Sequence, residues 1–595
     1  MNSATNPGER RGRVGKRTRE RHVSVRLLLA IAIAIPIVIM GGLTAQAVLA
    51  HTSCTDHPLV LHVAASEDIA PVIERVADVY NGQGHTANGR CAKVQVAAEQ
   101  PAGVAAQVDG QASGTGQTTV DAWVPDSTLW VDVARTFPEG AKVVQPTGIS
   151  VAQSPLMLVM PPTAAAQIPQ YNNTVGWSFL LPASAGGPPA ALGVHVEIPD
   201  PTQSATGLAA LVEVSRLLGS GASARTLLTQ FVLSAQASAQ FDDPASLAAF
   251  VIQADPPLDA RPVTVTSEQA VIAYDAANPS APLAARYPSG TASAALATPE
   301  LDYPYVVTST DPAELAAAKQ FGAMLRQSYA VALIHHYGFR SANGVGGILP
   351  AGDGLAEQPL ELATQPQPGE AQTALQAWQR LQSGSRDLAM IDVSSAMSAP
   401  SGLPNLTLEQ ELTEAAQLGL ALFPDSTQLG LSEVGTGATG SLPYRSLVSV
   451  GPLPGEIGLI SRREQIEQID ATLRPQSGPA ELNQAILDEY NKMVDGYQSG
   501  ITNALIVLTA GVENTPGDMP VTQLVTELKS LYKPDRPVEL IIIVLGTQGN
   551  ISAMQQIAAA GGGAAFPVTN PGQIDEVFFE GVSRRICLAS GSCAA

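Results

Sequence analysis

The chain has 595 residues, of which 45% are apolar and 14% charged, and its formal net charge at pH 7 is −21. That composition excludes a wholly disordered protein and a coiled-coil rod, and the length predicts three or four domain-sized units. Residues 1–50 hold eight basic and two acidic side chains, so the remaining 545 residues carry a net charge of −27. Because phosphate backbones repel so acidic a body, we expect no nucleic-acid partner.

The N-terminus has the pattern of a membrane-targeting segment. Residues 1–26 form a basic tail, and Leu27 to Ala50 follow as 24 residues without a charge. A helix of that length spans about 36 Å, enough to cross the hydrocarbon core. The basic flank predicts a cytoplasmic tail (1–26), a single-pass transmembrane anchor in the cell membrane (27–50) and an extracytoplasmic body. The alternative is a signal peptide cleaved after Ala45-Gln46-Ala47, which would leave the protein secreted.

All four cysteines follow the apolar run, in the part of the chain expected to face an oxidising compartment. Their even number predicts two disulfide bonds, and proximity in sequence favours Cys54–Cys91 and Cys587–Cys593. Four buried free thiols are the alternative. No CxxC motif occurs, so neither a zinc ribbon nor a thioredoxin-type site is indicated.

Past the apolar run, short apolar strands alternate with amphipathic helices, a rhythm typical of parallel, helix-flanked sheets. A first module is predicted over residues 54–345, with early strands at 58–65, 92–98 and 120–124. Residues 346–379 are predicted as a linker, because the segment around 342–372 is rich in Gly, Pro, Gln and Glu. A second domain is predicted over residues 380–595. Its strands are expected at 387–391, 428–434, 446–450, 503–509, 538–545 and 564–568. Its helices are expected at 407–422, 462–473, 480–496, 520–532, 551–560 and 573–586.

The first module resembles the type 2 periplasmic solute-binding proteins through LVLHVAASEDIAPVIERVADVY, VDAWVPDSTLW, IPDPTQSATGLAALVEV and VTSEQAVIAYDAA. In that family the ligand lies between two lobes, held by hydroxyls and backbone N–H groups at helix N-termini that favour anions. The resemblance implies six ligand-binding residues: Ser66, Asp126, Ser127, Ser204, Thr206 and Tyr274, the last matching a tyrosine of the late crossing strand. The alternative for the serines is plain helix N-capping. Pro125 stands where molybdate binders carry a second hydroxyl. The class of the small-molecule ligand, anionic or not, is therefore open.

The second domain resembles a von Willebrand factor A domain through RDLAMIDVSSAMS, ITNALIVLTAGVEN and VELIIIVLG. The order of the two modules resembles actinobacterial membrane-anchored proteins that combine a solute-binding-like module with such a domain. The fold class expected is therefore α/β: a two-lobed periplasmic-binding-protein-like module, then a doubly wound von Willebrand factor A (Rossmann-like) domain, with one N-terminal transmembrane helix.

The von Willebrand factor A resemblance also raises the question of a metal site. In that family an Asp-x-Ser-x-Ser loop, a threonine and an aspartate surround one Mg²⁺ or Mn²⁺. Asp392 and Ser394 match, whereas the three other positions are Ala396, Ala480 and Ala510, which offer no oxygen ligand. We therefore expect a degenerate site without metal or other cofactor, whose remnants cap the following helix and bond loop N–H groups. The alternative is that Glu513 or Asp518 supplies the missing oxygens.

No catalytic motif is recognisable. There is no GxSxG elbow, HExxH or Walker lysine, and the GxGxxG match at residues 435–440 precedes a strand-like run, which predicts a hairpin loop. His335 and His336 point to different sides of a helix and make no chelating pair. We expect a ligand-binding, protein-recruiting membrane protein and not an enzyme. The alternatives are the solute-capture component of an ABC transporter, a surface enzyme and a purely structural envelope protein.

Overall fold

The computed structural model describes most of the chain after residue 57. The described residues are 58–110, 119–168, 175–238, 244–253, 261–288, 297–347, 355–356, 359–401, 405–435, 442–512, 515–569, 572–583 and 586. The predicted tail and anchor, together with Cys54, Cys587 and Cys593, lie outside them. Within the described ranges no helix has the length and apolar character needed to cross a membrane.

The first lobe of the first module is a six-stranded sheet flanked by helices. Its strands are β1 (Leu59–Ala65), β2 (Thr86–Ala87), β3 (Arg90–Ala98), β4 (Ala122–Val124), β5 (Gln145–Ser150) and β12 (Pro304–Val307), in the order β2-β3-β1-β4-β12-β5. Its helices are α1 (Ala70–Gln83), α2 (Pro101–Val108), α3 (Thr128–Arg135), α4 (Pro138–Val143), α10 (Pro312–Met324) and α11 (Ser328–His336). β1 pairs in parallel with β3 and β4, and β12 runs antiparallel to β4 and β5.

The formation of α1 illustrates how the sequence builds this lobe. Pro71 stands in the first turn, where its missing N–H costs nothing, and Gly84 ends the helix in the left-handed conformation at φ 68°. Between them Val72, Val76 and Tyr80 recur at helical spacing and are fully buried. Cys91 on β3 is 7% exposed and is not a free cysteine. Because the three other cysteines lie outside the described residues, the pairing remains a prediction.

The second lobe is built on a second sheet. Its strands are β6 (Ala152–Met160), β7 (Val194–Pro199), β8 (Gln236–Ser238), β9 (Arg261–Ser267), β10 (Ala284–Arg286), β11 (Glu300–Leu301) and β13 (Arg340–Ser341). The path β10-β6-β9-β7-β8 forms the sheet, and β11 and β13 also pair with β6. Its helices are α5 (Pro162–Ala165), α6 (Ala205–Leu218), α7 (Ala222–Ser234), α8 (Pro244–Gln253) and α9 (Glu268–Ala277).

Two adjacent chain crossings join the lobes, and a third leads from α11 of the first lobe to β13, which pairs with β6 of the second. Val151 separates β5 of the first lobe from β6 of the second, and Asp302-Tyr303 separates β11 of the second from β12 of the first. The crossings lie side by side, because the Val151 N–H donates to the Tyr303 carbonyl at 2.9 Å. A short double connection of this kind defines the hinge of a two-lobed module.

The second domain is a six-stranded sheet with helices in its connections. Its strands are β14 (Ser385–Asp392), β15 (Gln428–Val434), β16 (Tyr444–Pro452), β19 (Thr502–Thr509), β20 (Glu539–Leu545) and β21 (Ala564–Val568), in the order β16-β15-β14-β19-β20-β21. A small hairpin, β17 (Glu456–Ile457) with β18 (Ile460–Ser461), stands apart. The helices are α13 (Leu408–Leu422), α14 (Arg462–Asp470), α15 (Leu482–Asp495), α16 (Val521–Leu531), α17 (Ile551–Ala560) and α18 (Gly572–Ser583). All six predicted strands and all six predicted helices are confirmed.

A helix that was not predicted joins the two modules. α12 (Glu370–Gln382) begins inside the predicted linker and crosses the boundary at residues 379 and 380. Its buried face belongs to the same apolar cluster as the core of the first module, through Ala371, Ala374, Leu375, Trp378 and Leu381. The helix packs against α6 and α7 of the second lobe and against α3 of the first. This part of the chain is therefore a packed element and not a free linker.

Polar contacts hold α12 at both ends. Near its start, the Arg216 guanidinium on α6 contacts the Glu370 carboxylate at 2.8 Å and Glu213 at 2.9 Å. Near its end, the Gln382 amide donates to the Val232 carbonyl on α7 at 3.1 Å. α18, the C-terminal helix of the second domain, also packs on α7. The second domain is thus seated on the second lobe.

Candidate functional site

Three of the predicted ligand-binding residues lie at helix N-termini around the hinge. Ser66 follows β1, Ser127 caps α3 of the first lobe, and Ser204 caps α6 of the second lobe. α3 and α6 contact each other across the lobes. The Ser66 N–H donates to the Val124 carbonyl at 2.9 Å, which places Ser66 near the start of α3. A joint site of these residues with Ser204 stays a prediction.

Two of these serines use their hydroxyls on their own helices. The Ser127 oxygen accepts from the Leu129 N–H at 3.2 Å, and the Ser204 oxygen accepts from the Gly207 N–H at 3.3 Å. Both side chains are buried. N-capping, the alternative considered from sequence, is what these contacts show.

A half-buried carboxylate, Asp68, occupies the third N-terminus. It accepts from the Ser66 hydroxyl at 2.7 Å and from the Ile69 N–H at 2.8 Å. Its other oxygen accepts from the hydroxyl of Tyr303 at the second crossing. Burial raises the pKa of Asp68 even though these hydrogen bonds lower it. The hydroxyls that would hold an anion are therefore directed at a carboxylate already in place.

The second crossing adds further carboxyl groups. Asp302 accepts from the Thr128 N–H at 2.7 Å and from the Thr128 hydroxyl, which ties the crossing to the start of α3. Burial raises the pKa of Asp302, and burial together with the Asp302 charge raises the pKa of Glu300 to about 8. Asp126, beside them, accepts from the Tyr303 N–H through its backbone carbonyl at 3.1 Å. The hinge is thus lined by acids.

The structure places Tyr274 away from this region. It lies in α9, not on a crossing strand, and its ring is buried in an apolar cluster with Met157, Leu247 and Phe250. The tyrosine at the second crossing is Tyr303, which the sequence analysis missed. In the sequence, the feature that could have indicated this tyrosine is the Asp302-Tyr303 pair just before the strand Pro304–Val307. The left-handed backbone of Tyr303, at φ 41°, could not be read from the sequence.

Thr206, in the first turn of α6, differs from the capping serines. Its side chain is fully buried, and its hydroxyl has no hydrogen-bond partner among the described residues. A buried hydroxyl without a partner costs free energy. It is therefore a group that a ligand or water at the start of α6 could satisfy.

In the second domain, Asp392 ends β14 at the carboxyl edge of the sheet. One of its oxygens accepts from the Ser394 N–H at 2.8 Å, and the other accepts from the Thr509 hydroxyl at 2.6 Å. The carboxyl is 3% exposed, and burial raises its pKa. Asp392 thus fastens the loop after β14 to the end of β19, and its predicted bond to a loop N–H group is present. The absence of a metal stays a prediction.

The substitute ligands considered from sequence are not gathered at Asp392. Asp518 accepts from the Asn483, Gln484 and Met519 N–H groups, so it caps the start of α15. Glu513 and most of the GxGxxG segment lie outside the described residues. In the described ranges, no group of three or more His, Cys, Asp or Glu side chains has an arrangement that could hold a metal ion.

Comparison with known proteins identifies the class of the first module. Residues 61–340, slightly less than half of the chain, match the family model of the bacterial extracellular solute-binding proteins. The first module is therefore a solute-binding domain on a mixed α/β fold. No curated protein matches the chain.

Solved structures with similar folds exist for both modules. A von Willebrand factor type A protein from Catenulispora acidiphila is 16% identical, with a TM-score of 0.26, over 34% of this chain and 43% of that one. The periplasmic binding protein P5PA is 11% identical, with a TM-score of 0.37, over 54% of this chain and 98% of that one. IdiA (FutA) of Trichodesmium, solved with iron and citrate, is 11% identical, with a TM-score of 0.36, over 54% and 99%. These likenesses concern the fold alone.

Proposed function

We propose that this protein is an extracytoplasmic, membrane-anchored binding protein. Its first module captures a small ligand at the hinge, and its von Willebrand factor A-like domain recruits a protein partner without a metal ion. The family match over residues 61–340 supports ligand capture. The uncharged run from Leu27 to Ala50 supports the anchor. We assign no catalytic activity to either module.

The contacts of the acidic side chains at the hinge support a particular class of ligand. The Ser66 and Tyr303 hydroxyls donate to Asp68, and the Thr128 hydroxyl donates to Asp302. An oxyanion placed there would lose these donors, because the Asp68 and Asp302 carboxyl groups already accept from them. A ligand with N–H donors and positive charge would complement the carboxylates. We therefore propose organic cations as the ligands and not oxyanions.

Thermal unfolding of the full-length chain with four probes tests this assignment. Arginine and putrescine are expected to raise Tm, whereas molybdate and sulfate leave it unchanged. A ligand at 100 times its Kd stabilises the folded state by about 2.7 kcal/mol. Asp302→Asn should abolish the shift, and Asp78→Asn, on the exposed face of α1, should keep it. A shift with molybdate alone would overturn the ligand class, and no shift with any probe would count against capture itself.

The raised pKa of Glu300 predicts a pH-dependent stability. The folded chain holds this carboxyl protonated up to pH about 8, whereas the unfolded chain ionises it near 4.5. Its contribution to stability is therefore fully present below pH 4.5 and is lost as the pH rises through 8. Glu300→Gln should reduce the decrease in the free energy of unfolding between pH 5 and pH 8. Urea unfolding at these two pH values measures it. An unchanged pH slope would show that Glu300 titrates normally.

The carboxyl edge of the second sheet is the surface we propose for the protein partner. Leu442, just before β16, is 50% exposed, and Val512, just after β19, is 47% exposed. Both stand at the edge where Asp392 ends β14, since Val434 at the end of β15 pairs with Tyr444 at the start of β16. Exposed apolar side chains next to Asp392, whose oxygens are already hydrogen-bonded, favour a contact with a protein partner that needs no metal ion.

Metal titration tests that independence. Titration of the full-length protein with Mg²⁺ or Mn²⁺ should give no saturable heat that depends on Asp392, so Asp392→Ala should give the same result. The reason is that Thr509 and Ser394 already satisfy both carboxylate oxygens of Asp392. The triple substitution Ala396→Ser, Ala480→Thr and Ala510→Asp should create Mn²⁺ binding by restoring oxygen ligands. Saturable Mn²⁺ heat in the unaltered chain, lost in Asp392→Ala, would contradict the proposal.

A second candidate function is solute capture for an ABC transporter, which the same family match favours. The second domain packs on α7 and covers part of the second lobe. This packing favours the first proposal over solute capture for a transporter. Ligand uptake by cells with and without the gene separates the two functions. Loss of uptake on deletion would favour transport.

A further inference from the structure

An apolar space in the second domain lies between its sheet and two helices. The space has a cavity volume of about 100 Å³ and is partly open to solvent. Its floor is formed by β14, β15, β19 and β20, and its walls by α13 and α14. The lining is almost wholly aliphatic, including Ile391, Leu431, Leu508 and Ile466. A well-packed domain seldom leaves so large an apolar gap.

One polar group in this lining is unusual. Asp470, the last residue of α14, is 4% exposed, and its Oδ2 atom has no hydrogen-bond partner among the described residues. It stands one turn after Ile466, so both side chains face the same apolar space. Burying a carboxyl without a partner costs free energy unless something else compensates it.

The charges around Asp470 are also negative. Glu467 on α14 lines the same space, and Glu409 on α13 lies close enough for its charge to raise the pKa of Asp470. Burial is the larger cause, and together they raise that pKa to about 7. The nearest cation paired with these acids is Arg474, which contacts Glu409 at 3.3 Å. No cation among the described residues is paired with Asp470.

We infer that this space is a binding site for a linear aliphatic amine, with its chain against the sheet and its ammonium group at Asp470. The aliphatic lining recognises the chain by burial, and the unpartnered carboxyl recognises the head group by charge and hydrogen bonding. A fatty acid would fit the lining equally well, but its carboxylate would face Asp470 and Glu467. The site is separate from the hinge of the first module and from Asp392.

Gly419 on α13 offers a way to close the space. It lines the space, and a Cβ atom built there would meet no atom within 4 Å. Gly419→Phe should therefore fill the space without a backbone clash. Gly82→Phe is the matched control, because Gly82 stands on an exposed face of α1 with equally open surroundings.

Calorimetric titration of the full-length chain with hexylamine, octylamine and decylamine tests the inference. The Gly419→Phe chain under identical conditions serves as the blank for partitioning into lipid or detergent. Affinity should rise roughly fourfold per added methylene, the equivalent of about 0.8 kcal/mol each, until the space is full. Octanoate should bind at least about tenfold more weakly than octylamine, because like charges repel at a shared site. The Gly82→Phe chain should bind as the unaltered chain does.

Asp470→Asn separates head-group recognition from the fold. The variant should fold, since it removes a buried carboxyl, and it should bind octylamine more weakly and narrow the difference in affinity between octylamine and octanoate, with Glu467 still favouring the amine. Equal affinities in the unaltered chain, or tighter octanoate, would overturn the amine assignment. Identical amine heats in the unaltered and Gly419→Phe chains, with matching melting curves, would overturn the site.

Discussion

Replacing Arg340 with methionine is expected to lower the free energy of unfolding of the first module by about 3–5 kcal/mol. Its guanidinium is 1% exposed and donates to both oxygens of Glu268, at 2.7–3.1 Å, and that carboxylate is fully buried. The same guanidinium donates to the Gly344 and Ala356 carbonyls. Without the arginine, Glu268 becomes a buried charge that no cation balances, which is the reason for so large an effect.

Urea unfolding of the full-length chain measures this loss, with Arg75→Met on the exposed face of α1 as the matched control. The double substitution Arg340→Met with Glu268→Gln should recover part of the stability, because it removes the stranded charge as well. A loss below about 1 kcal/mol is the range measured for exposed ion pairs. Such a result would show that the Arg340–Glu268 pair contributes little to the stability of the first module.

Trp378→Ala is expected to cost about 3–5 kcal/mol and to detach α12 from the first module. The indole is 3% exposed and belongs to the buried cluster shared with α6. Its truncation leaves a cavity at the junction of the two modules. Limited proteolysis should then cut at residues 370–382 in the variant but not in the unaltered chain.

The control for that substitution lies on the same helix. Gln376 is exposed, so Gln376→Ala should change the stability by less than about 0.5 kcal/mol and leave α12 resistant to the protease. Equal resistance of the Trp378→Ala and unaltered chains would mean that α12 does not depend on this contact.

The second domain could be predicted closely because its inner strands, above all β19 and β20, are apolar runs buried by neighbours on both sides. β15, β21 and α17 have the predicted bounds, and the other elements differ by a few residues at their ends. α12 escaped prediction for the opposite reason. Its apolar positions, Ala371 to Leu381, stand among glutamines after a Pro-rich stretch, and only packing against α6 and α7 makes that face an interior one.

The helix N-termini near the hinge were predictable from the sequence, and their side-chain contacts were less so. Sequence placed Ser66, Ser127 and Ser204 at helix N-termini, because such residues follow strands and begin helices. It could not show that the Tyr303 hydroxyl meets Asp68, 235 positions earlier, because that pairing depends on the two crossings lying side by side. Tyr274 was wrongly assigned to a crossing strand because its residue type fitted, whereas its helix buries it elsewhere.

The central claim is that α12 packs on the first module while α18 packs on α7, so that the two modules form one unit and events at the hinge can reach the second domain. Amide hydrogen exchange of residues 370–382 in the full-length chain tests this most directly. The packing against α3, α6 and α7 predicts protection comparable to that of α6 itself. Exchange as fast as in an unstructured peptide would instead restore the free linker first predicted from the sequence, and with it two independent modules.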